Sequence, residues 1–299
     1  MFIVKYKKIF LGISALIVAG SLFPILFFGI RFGIDFTGGS LLEVEYSNVA
    51  SARPEAAQVK EALGKVGFAD AVVQPTGEKG FIVRTKTLSE KDHAAILQAL
   101  SFDGKQANEK RFTSIGPIIG NELRAKAWAS ILAVILAIVL FITFAFRKVS
   151  APIASSKYGM VAIIALVHDI IVPTGALAIL GHFYGVEADA LFVTALLTIL
   201  GFSIHDTIVV FDRIRENLKL KISENFSEVV GISLQQTITR SINTSLTTAF
   251  AIAMLLYAGP ASTHNFSLIL LIGIIAGTYS SIFLASPLLV VIEERQKKK

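Results

Sequence analysis

The chain has 299 residues, of which 54% are apolar and 17% charged, with a mean hydropathy of +0.67; a soluble protein carries about 25% charged residues, so lipid is the solvent this composition suits. With no cysteine, disulfides, cysteine-ligated zinc, iron–sulfur clusters and thiol nucleophiles are excluded. The formal charge of +6 is gathered in short clusters at the ends of apolar runs, which membrane topology explains and nucleic-acid binding does not.

A helix needs about 20 apolar residues to cross a hydrocarbon core of about 30 Å. Six stretches meet that length: Ile9 to Ile30, Leu123 to Phe146, Tyr158 to Leu180, Ala188 to Phe211, Ile238 to Ala258 and Phe266 to Ile292. The first follows Lys5, Lys7 and Lys8 as a signal peptide would. It exceeds the roughly 7–15 apolar residues of such a peptide and five more spans follow, so it reads as an uncleaved anchor.

Four basic clusters fall on one side of this arrangement: Lys5, Lys7 and Lys8; Arg147, Lys148 and Lys157; Arg213, Arg215, Lys219 and Lys221; and Arg295, Lys297, Lys298 and Lys299. That side is expected to be the cytoplasm, with both termini inside. The short loops on the other side, Gly181 to Glu187 and Gly259 to Asn265, carry no Lys or Arg; Arg31, Arg124 and Lys126 are minor exceptions at outer helix ends. The expected division is residues 1–32 as the cytoplasmic N-terminus and first span, 33–122 as an extracytoplasmic domain, and 123–299 as spans two to six with a cytoplasmic connector at 212–237.

The outside segment holds ten basic and twelve acidic residues between Gly33 and Glu122, a near-neutral soluble domain. Leu42, Val44 and Tyr46 alternate with Glu43 and Glu45 as in a half-buried strand, and Ala56, Val59, Leu63 and Val66 follow at helical spacing. Apolar stretches at Ala71 to Val73 and Phe81 to Val83 flank the turn-rich Pro75-Thr76-Gly77 and read as a hairpin. Ser89 and Asp92 suit the start of a helix carrying Ile96, Leu97 and Leu100, and a last strand near Arg111 to Ile115 returns to the membrane. The order β-α-β-β-α-β is that of a small ferredoxin-like α+β domain, so the expected fold class is a six-helix polytopic membrane protein with such a domain between helices one and two.

Ionisable residues inside spans cost about 2.5–3.5 kcal/mol each on insertion scales and therefore need a reason. Asp169, Asp206 and Arg240 are the candidates. Asp206, expected about 7 Å from the inner end of the fourth span at 1.5 Å per residue, sits at a depth similar to Arg240 near the start of the fifth, so the two can meet. A neighbouring cation favours the charged carboxylate and burial the neutral one; a site where these compete can change protonation when packing changes, as a proton carrier requires. A fixed salt bridge that orients two helices is the alternative. Thr237, Thr239, Ser241, Asn243, Thr244, Ser245, Thr247 and Thr248 surround Arg240, as lining for a wet path or as interhelical glue.

His168 and His205 each precede an Asp, but adjacent helical residues point about 100° apart, so His-Asp is no chelating pair. Each histidine is expected to bond a neighbouring helix or face the cytoplasmic end. No metal or cofactor is expected, and no zinc-protease, serine-hydrolase or Walker motif occurs. Gly33, Asp35, Phe36, Thr37, Gly38 and Gly39 open the outside domain; without a Lys-Ser/Thr ending they read as a tight turn, not a phosphate cradle. In the connector, Phe226, Val229 and Val230 suggest an interfacial amphipathic segment facing lipid.

These segments resemble the SecF family over nearly the whole chain. Gly33-x-Asp35-Phe36-Thr37-Gly38-Gly39 is similar to a signature shared in variant form by SecD and SecF, with Phe-Thr pointing to SecF. The stretch from Phe202 to Asn217 is similar to the family's fourth-helix motif, and Arg240-Ser241-Ile242-Asn243-Thr244-Ser245 to its fifth-helix motif; His205 departs from the Asn that many relatives carry. The resemblance implies a member of the resistance-nodulation-division superfamily that pairs with SecD, YajC being a further accessory partner. It implies work with the SecYEG channel on a preprotein after SecA has acted, driven by protons through residues matching Asp206 and Arg240, with Asp169 as a further relay candidate. No cofactor and no nucleic acid are implied. Half of a proton-coupled small-molecule exporter, an intramembrane enzyme using Asp169 and Asp206, and a purely structural assembly subunit are the rival readings.

Overall fold

The computed structural model describes residues 2–47, 53–102, 104–146 and 154–297; Arg147, Lys148, Lys298 and Lys299, counted above among the basic clusters, lie outside the described residues. The elements in chain order are α1 (Phe2–Lys5), α2 (Lys7–Phe28), α3 (Ile34–Thr37), β1 (Gly39–Ser47), α4 (Ala56–Lys65), β2 (Val72–Thr76), β3 (Gly80–Thr85), α5 (Glu90–Leu100), β4 (Gln106–Ile115) and α6 (Pro117–Ala145). There follow α7 (Ser155–Tyr184), α8 (Ala190–Lys219), α9 (Phe226–Ala258), α10 (Ala261–Tyr279), a π-helical segment Ser280–Ala285 and α11 (Ser286–Lys297). Two compact units result, Met1–Arg31 with Trp128–Lys299, and Phe32–Ala127.

The helical unit contains α2, most of α6, α7, α8, α9 and the continuous run from α10 through α11; all six are long and apolar enough to cross a membrane. The protein is a multi-pass membrane protein. Asp189 caps α8 by accepting from Phe192 N at 2.8 Å, Asn225 caps α9 by accepting from Ser227 N at 3.0 Å, and Gly185 ends α7 in the left-handed region at φ 68°. Pro24 and Pro173 lie inside α2 and α7, which spanning helices tolerate when neighbours satisfy the freed carbonyls.

Close helix approach is built on small residues. A Cβ on Gly277 would stand 2.9 Å from Ser203 Cβ, and one on Gly175 would stand 2.7 Å from the Ser21 backbone, so α10 packs on α8, and α2 on α7, almost backbone to backbone. Burial is uneven: 61% of the apolar window of the sixth span is buried, against 11% for the first and second and 17% for the fifth. Third, fourth and sixth spans form the centre, and the fifth stands at the edge of the single chain.

The structure corrects the expected connector. Phe226, Val229 and Val230 are at most 2% exposed and share a core with Phe211, Ile214 and Leu289. Their helix is the first part of an unbroken α9, and α1 brings Ile3 and Val4 into the same core. An apolar face that looks suited to lipid thus finds a protein partner in a segment too short to be noticed in the sequence.

In the second unit the sheet runs β2-β3-β1-β4, all antiparallel, the order of the ferredoxin-like fold. Leu42 faces Val83 and Val44 faces Phe81 across the central pair; with Tyr46 they pack under Val59 and Leu63 of α4 and Ile96 and Leu100 of α5. Ser89 and Asp92 form a reciprocal capping box at the start of α5. Pro75 sits in β2, where an edge position requires no donor. β4 starts at Gln106, earlier than the apolar pattern suggests, because an edge strand admits the exposed polar run Asn108 to Lys110.

Candidate functional site

Asp169, Asp206 and Arg240 lie about midway along α7, α8 and α9 respectively. The fourth span continues to Lys219, so Asp206 is not near the inner end of its helix as expected. The Asp206 side chain is buried, and its Oδ2 accepts a hydrogen bond from Ser245 Oγ on α9 at 3.1 Å. Ser241, one turn earlier, is buried, and among the described residues its hydroxyl has no hydrogen-bond partner.

The expected contact between Asp206 and Arg240 is not formed. Among the described residues no ion pair joins them, and Arg240 is exposed. It lines a cavity of about 280 Å³ together with Asp212, Arg215 and Glu216 of α8, Gln236 and Phe141. Phe146, Ile208 and Val209 also line it, so the cavity is of mixed apolar and polar character. Asn217, buried at the end of α8, donates from Nδ2 to Ser233 Oγ at 2.8 Å and Gln236 Oε1 at 2.9 Å, fixing α8 against α9 beside that cavity.

Asp169 is fully buried in a second polar cluster. Ser280 Oγ donates to its Oδ2 at 2.9 Å, Ser203 Oγ donates to the same oxygen, and its Oδ1 lies 2.9 Å from His168 Nδ1. The His168 ring therefore turns onto its own neighbour, contrary to the expectation that it would bond another helix; the flexible side chains close the angle that the backbone sets. His205 is exposed. Sequence reasoning missed Ser203, Thr207, Thr278, Ser280 and Ser281, which bind the carboxylates or one another; the run Thr278-Tyr279-Ser280-Ser281 in an otherwise apolar span was the available signal. Of the residues around Arg240, Thr237, Thr247 and Thr248 bond carbonyls of their own helix.

The glycine-rich segment folds as the one-turn helix α3 followed by two residues of positive φ, Gly38 at 74° and Gly39 at 129°. A Cβ on Gly38 would stand 2.8 Å from Pro117 Cα, and one on Gly39 2.7 Å from Thr85 O. Phe36 is buried, and Thr37 Oγ1 donates to Gly33 O at 3.0 Å. Both glycines are thus required twice, for φ and for close backbone approach.

Residues 96–295 match the family described as protein export membrane protein SecD/SecF, C-terminal, and residues 25–48 match the SecD/SecF GG motif. The chain is a member of the SecF family. It is 43% identical to the protein translocase subunit SecF of Thermobaculum terrenum, over 98% of this chain and 94% of that one. To SecF of Pseudomonas aeruginosa it is 38% identical, over 88% and 81% respectively. The crystal structure of SecDF, a translocon-associated membrane protein from Thermus thermophilus, superposes with a TM-score of 0.84 at 32% identity, over 98% of this chain. The chain spans 38% of that SecDF chain, and so corresponds to part of a longer polypeptide there. The GG-motif match contains Gly38 and Gly39, and the larger match contains all three membrane-embedded ionisable residues.

Proposed function

We propose that this chain is the SecF accessory subunit of a Sec protein translocase. With SecD it uses the proton motive force to complete preprotein translocation through SecYEG after the ATP-driven SecA stage. The observation that carries the reading is a SecF match over nearly the full chain combined with a carboxylate, Asp206, buried in mid-span and held by a hydroxyl of a different span. A buried ionisable group in a span is a functional candidate by default, and one held by a neutral donor is free to take up and lose a proton without breaking an ion pair.

Arg240 supports the pairing with SecD. A cation midway along a span faces a bundle interior or a wet cavity, yet Arg240, Asn243 and Thr247 are exposed in the single chain. SecD packed on this face of α9 would enclose them and bring Arg240 into the proton path, with Asp169 as a further carrier. The basic clusters favour a reading in which the termini lie in the cytoplasm, at an inner membrane, with residues 33–122 outside.

The test is late-stage translocation into inside-out membrane vesicles, with and without an imposed proton gradient. Asp206→Asn is expected to remove the gradient response while leaving protein level, SecD association and the ATP-driven stage in place. A variant that responds like the wild type makes Asp206 a structural residue and removes the reading.

A further inference from the structure

Where the sixth span passes from α to π geometry, four consecutive residues hydrogen-bond four different spans. Thr278 Oγ1 donates to Ser245 Oγ of α9 at 2.7 Å, and Ser245 in turn donates to Asp206. Tyr279 Oη accepts from Ser14 of α2 at 3.2 Å. Ser280 Oγ donates to Asp169 Oδ2 of α7 at 2.9 Å. Ser281 Oγ lies 2.8 Å from Thr207 Oγ1 of α8. The run meets Asp169 directly and Asp206 through one intervening hydroxyl.

A hydroxyl has one proton, and here each has more than one acceptor in reach. Ser280 lies 2.9 Å from Asp169 Oδ2 and 3.0 Å from Gly277 O. Thr278 lies 2.7 Å from Ser245 Oγ and 2.9 Å from Ile274 O. Ser281 lies 3.0 Å from Gly277 O and 3.3 Å from Ser203 O. Each is therefore a two-position rotor whose setting depends on its neighbour. An ionised carboxylate only accepts; once protonated it also donates. A proton added to Asp169 Oδ2 requires an acceptor, which Ser280 becomes by turning its own proton to Gly277 O. The same change at Asp206 turns Ser245 into an acceptor and sends the Thr278 proton to Ile274 O.

The second observation is at His168. Its side chain is 2% exposed, its Nδ1 faces Asp169 Oδ1, and among the described residues its Nε2 has no partner. An orphaned ring nitrogen in a buried site is costly, and its lone pair is the open acceptor of this cluster. Among the described residues, the titratable group against Asp169 is His168 from its own helix, and the ring of Tyr279 from the sixth span stacks on His168 at a centroid distance of 6.1 Å. Among the described residues, α8 presents Ser203 to Asp169, and Ser14 of α2 meets the Tyr279 hydroxyl.

We propose that the His168–Asp169 pair is a second proton-binding site, and that Thr278, Ser280 and Ser281 at the mouth of the π segment couple it to Asp206. A π turn inside a spanning helix is a common mark of a functional position; here it begins at Ser280, the hydroxyl that bonds Asp169, two residues after Thr278, which reaches Asp206 through Ser245. The inference rests on the proton-coupling role proposed for Asp206. Ser280 and Thr278 are positioning residues, Ser280 acting through Asp169, which it bonds, and Thr278 through Ser245, which bonds Asp206.

The experiment measures gradient-driven completion of translocation against pH, in vesicles containing the chain with SecD and the channel. Asp169→Asn is expected to lose the gradient response. Ser280→Ala, which removes one donor to a carboxylate, is expected to slow it about tenfold and to displace its pH midpoint by about half a unit or more, with Ser280→Thr restoring both. Thr278→Ala combined with Ser280→Ala should be no worse than the slower single variant, since the two act in one path. Should Asp169→Asn fail to accumulate, the Ser280 variants carry the test. An unchanged midpoint in Ser280→Ala, or no rescue by threonine, overturns the proposal. Asp206→Asn in the same assay separates the two failures: if it loses the response while the Asp169 and Ser280 variants behave as wild type, only the second site falls.

Discussion

Ser245 of the fifth span donates to Asp206 of the fourth at 3.1 Å, while Arg240, five residues earlier on the same helix, faces elsewhere. At 3.6 residues per turn, five residues leave the two side chains about 140° apart around the helix. Ser241 and Ser245, four apart, share the face toward Asp206. Ser245→Ala is therefore expected to slow gradient-driven translocation roughly tenfold to a hundredfold, the size of one hydrogen bond to a charged group. Ser245→Thr keeps the hydroxyl and should retain most of the rate; vesicle assays at matched protein level decide it.

The exposed face of α9 makes a separate prediction. The chain has no native cysteine, so Asn243→Cys and Thr247→Cys report their surroundings without background. Thiol labelling at either position should slow when SecD is co-expressed, because the partner covers that face. Equal labelling with and without SecD would place the contact elsewhere. Arg240→Lys in the same pair should be impaired but active, since it keeps the charge and loses the planar fork.

The spans were legible because lipid imposes a length and a composition on any helix that crosses it. The domain was legible because Leu42, Val44 and Tyr46 alternate, Ser89 and Asp92 cap, and Pro75 marks an edge. The site was legible only in part. Asp169 and Asp206 stand out in apolar runs, but the angle between Arg240 and Ser245 matters only once the contact face of α9 is known. Ser280 and Ser281 look like ordinary small residues of a packed span, and a π segment leaves no periodic mark in six residues. Phe226, Val229 and Val230 misled because an amphipathic face has the same pattern against lipid as against Ile3 and Val4 of α1.

Orientation is checked by tags. Those at residues 1, 150, 222 and 299 should react from the cytoplasm, and one at Gly77 from outside. Protease cleavage near Lys219 in intact cells would reverse the assignment.

Gly38→Ala should destabilise the domain more than most single substitutions there. The new Cβ meets Pro117 Cα at 2.8 Å at a residue of φ 74°, and neither neighbour is a flexible side-chain end. Strain of this kind costs about 1–3 kcal/mol. Gly104→Ala, also at positive φ but with open space around the Cβ, serves as the comparison and should cost less. Limited proteolysis of the two variants in the full chain gives the ranking; equal sensitivity would mean that the close approach at Pro117 does not constrain the fold.

Tyr46 links the central strand of the domain to the end of α5, its hydroxyl donating to Leu100 O at 3.0 Å from a fully buried position. Tyr46→Phe keeps the ring and strands the carbonyl, which should cost about 1–3 kcal/mol, read as faster hydrogen exchange in β1 and α5 of the full chain. Burial pushes the Tyr46 hydroxyl up from 10.0 to about 12. Its proton is retained in the folded domain at a pH where the unfolded chain has released it, so folding is favoured fully below about pH 10 and the advantage is lost as pH rises toward 12. The fall is at most about 1.4 kcal/mol per pH unit. Tyr46→Phe has no such proton, so its stability should fall less than the wild type's across that window, even though it starts lower. Parallel alkaline curves for the two proteins would show that Tyr46 ionises as easily folded as unfolded, and that its hydroxyl is not held in the core as the geometry requires.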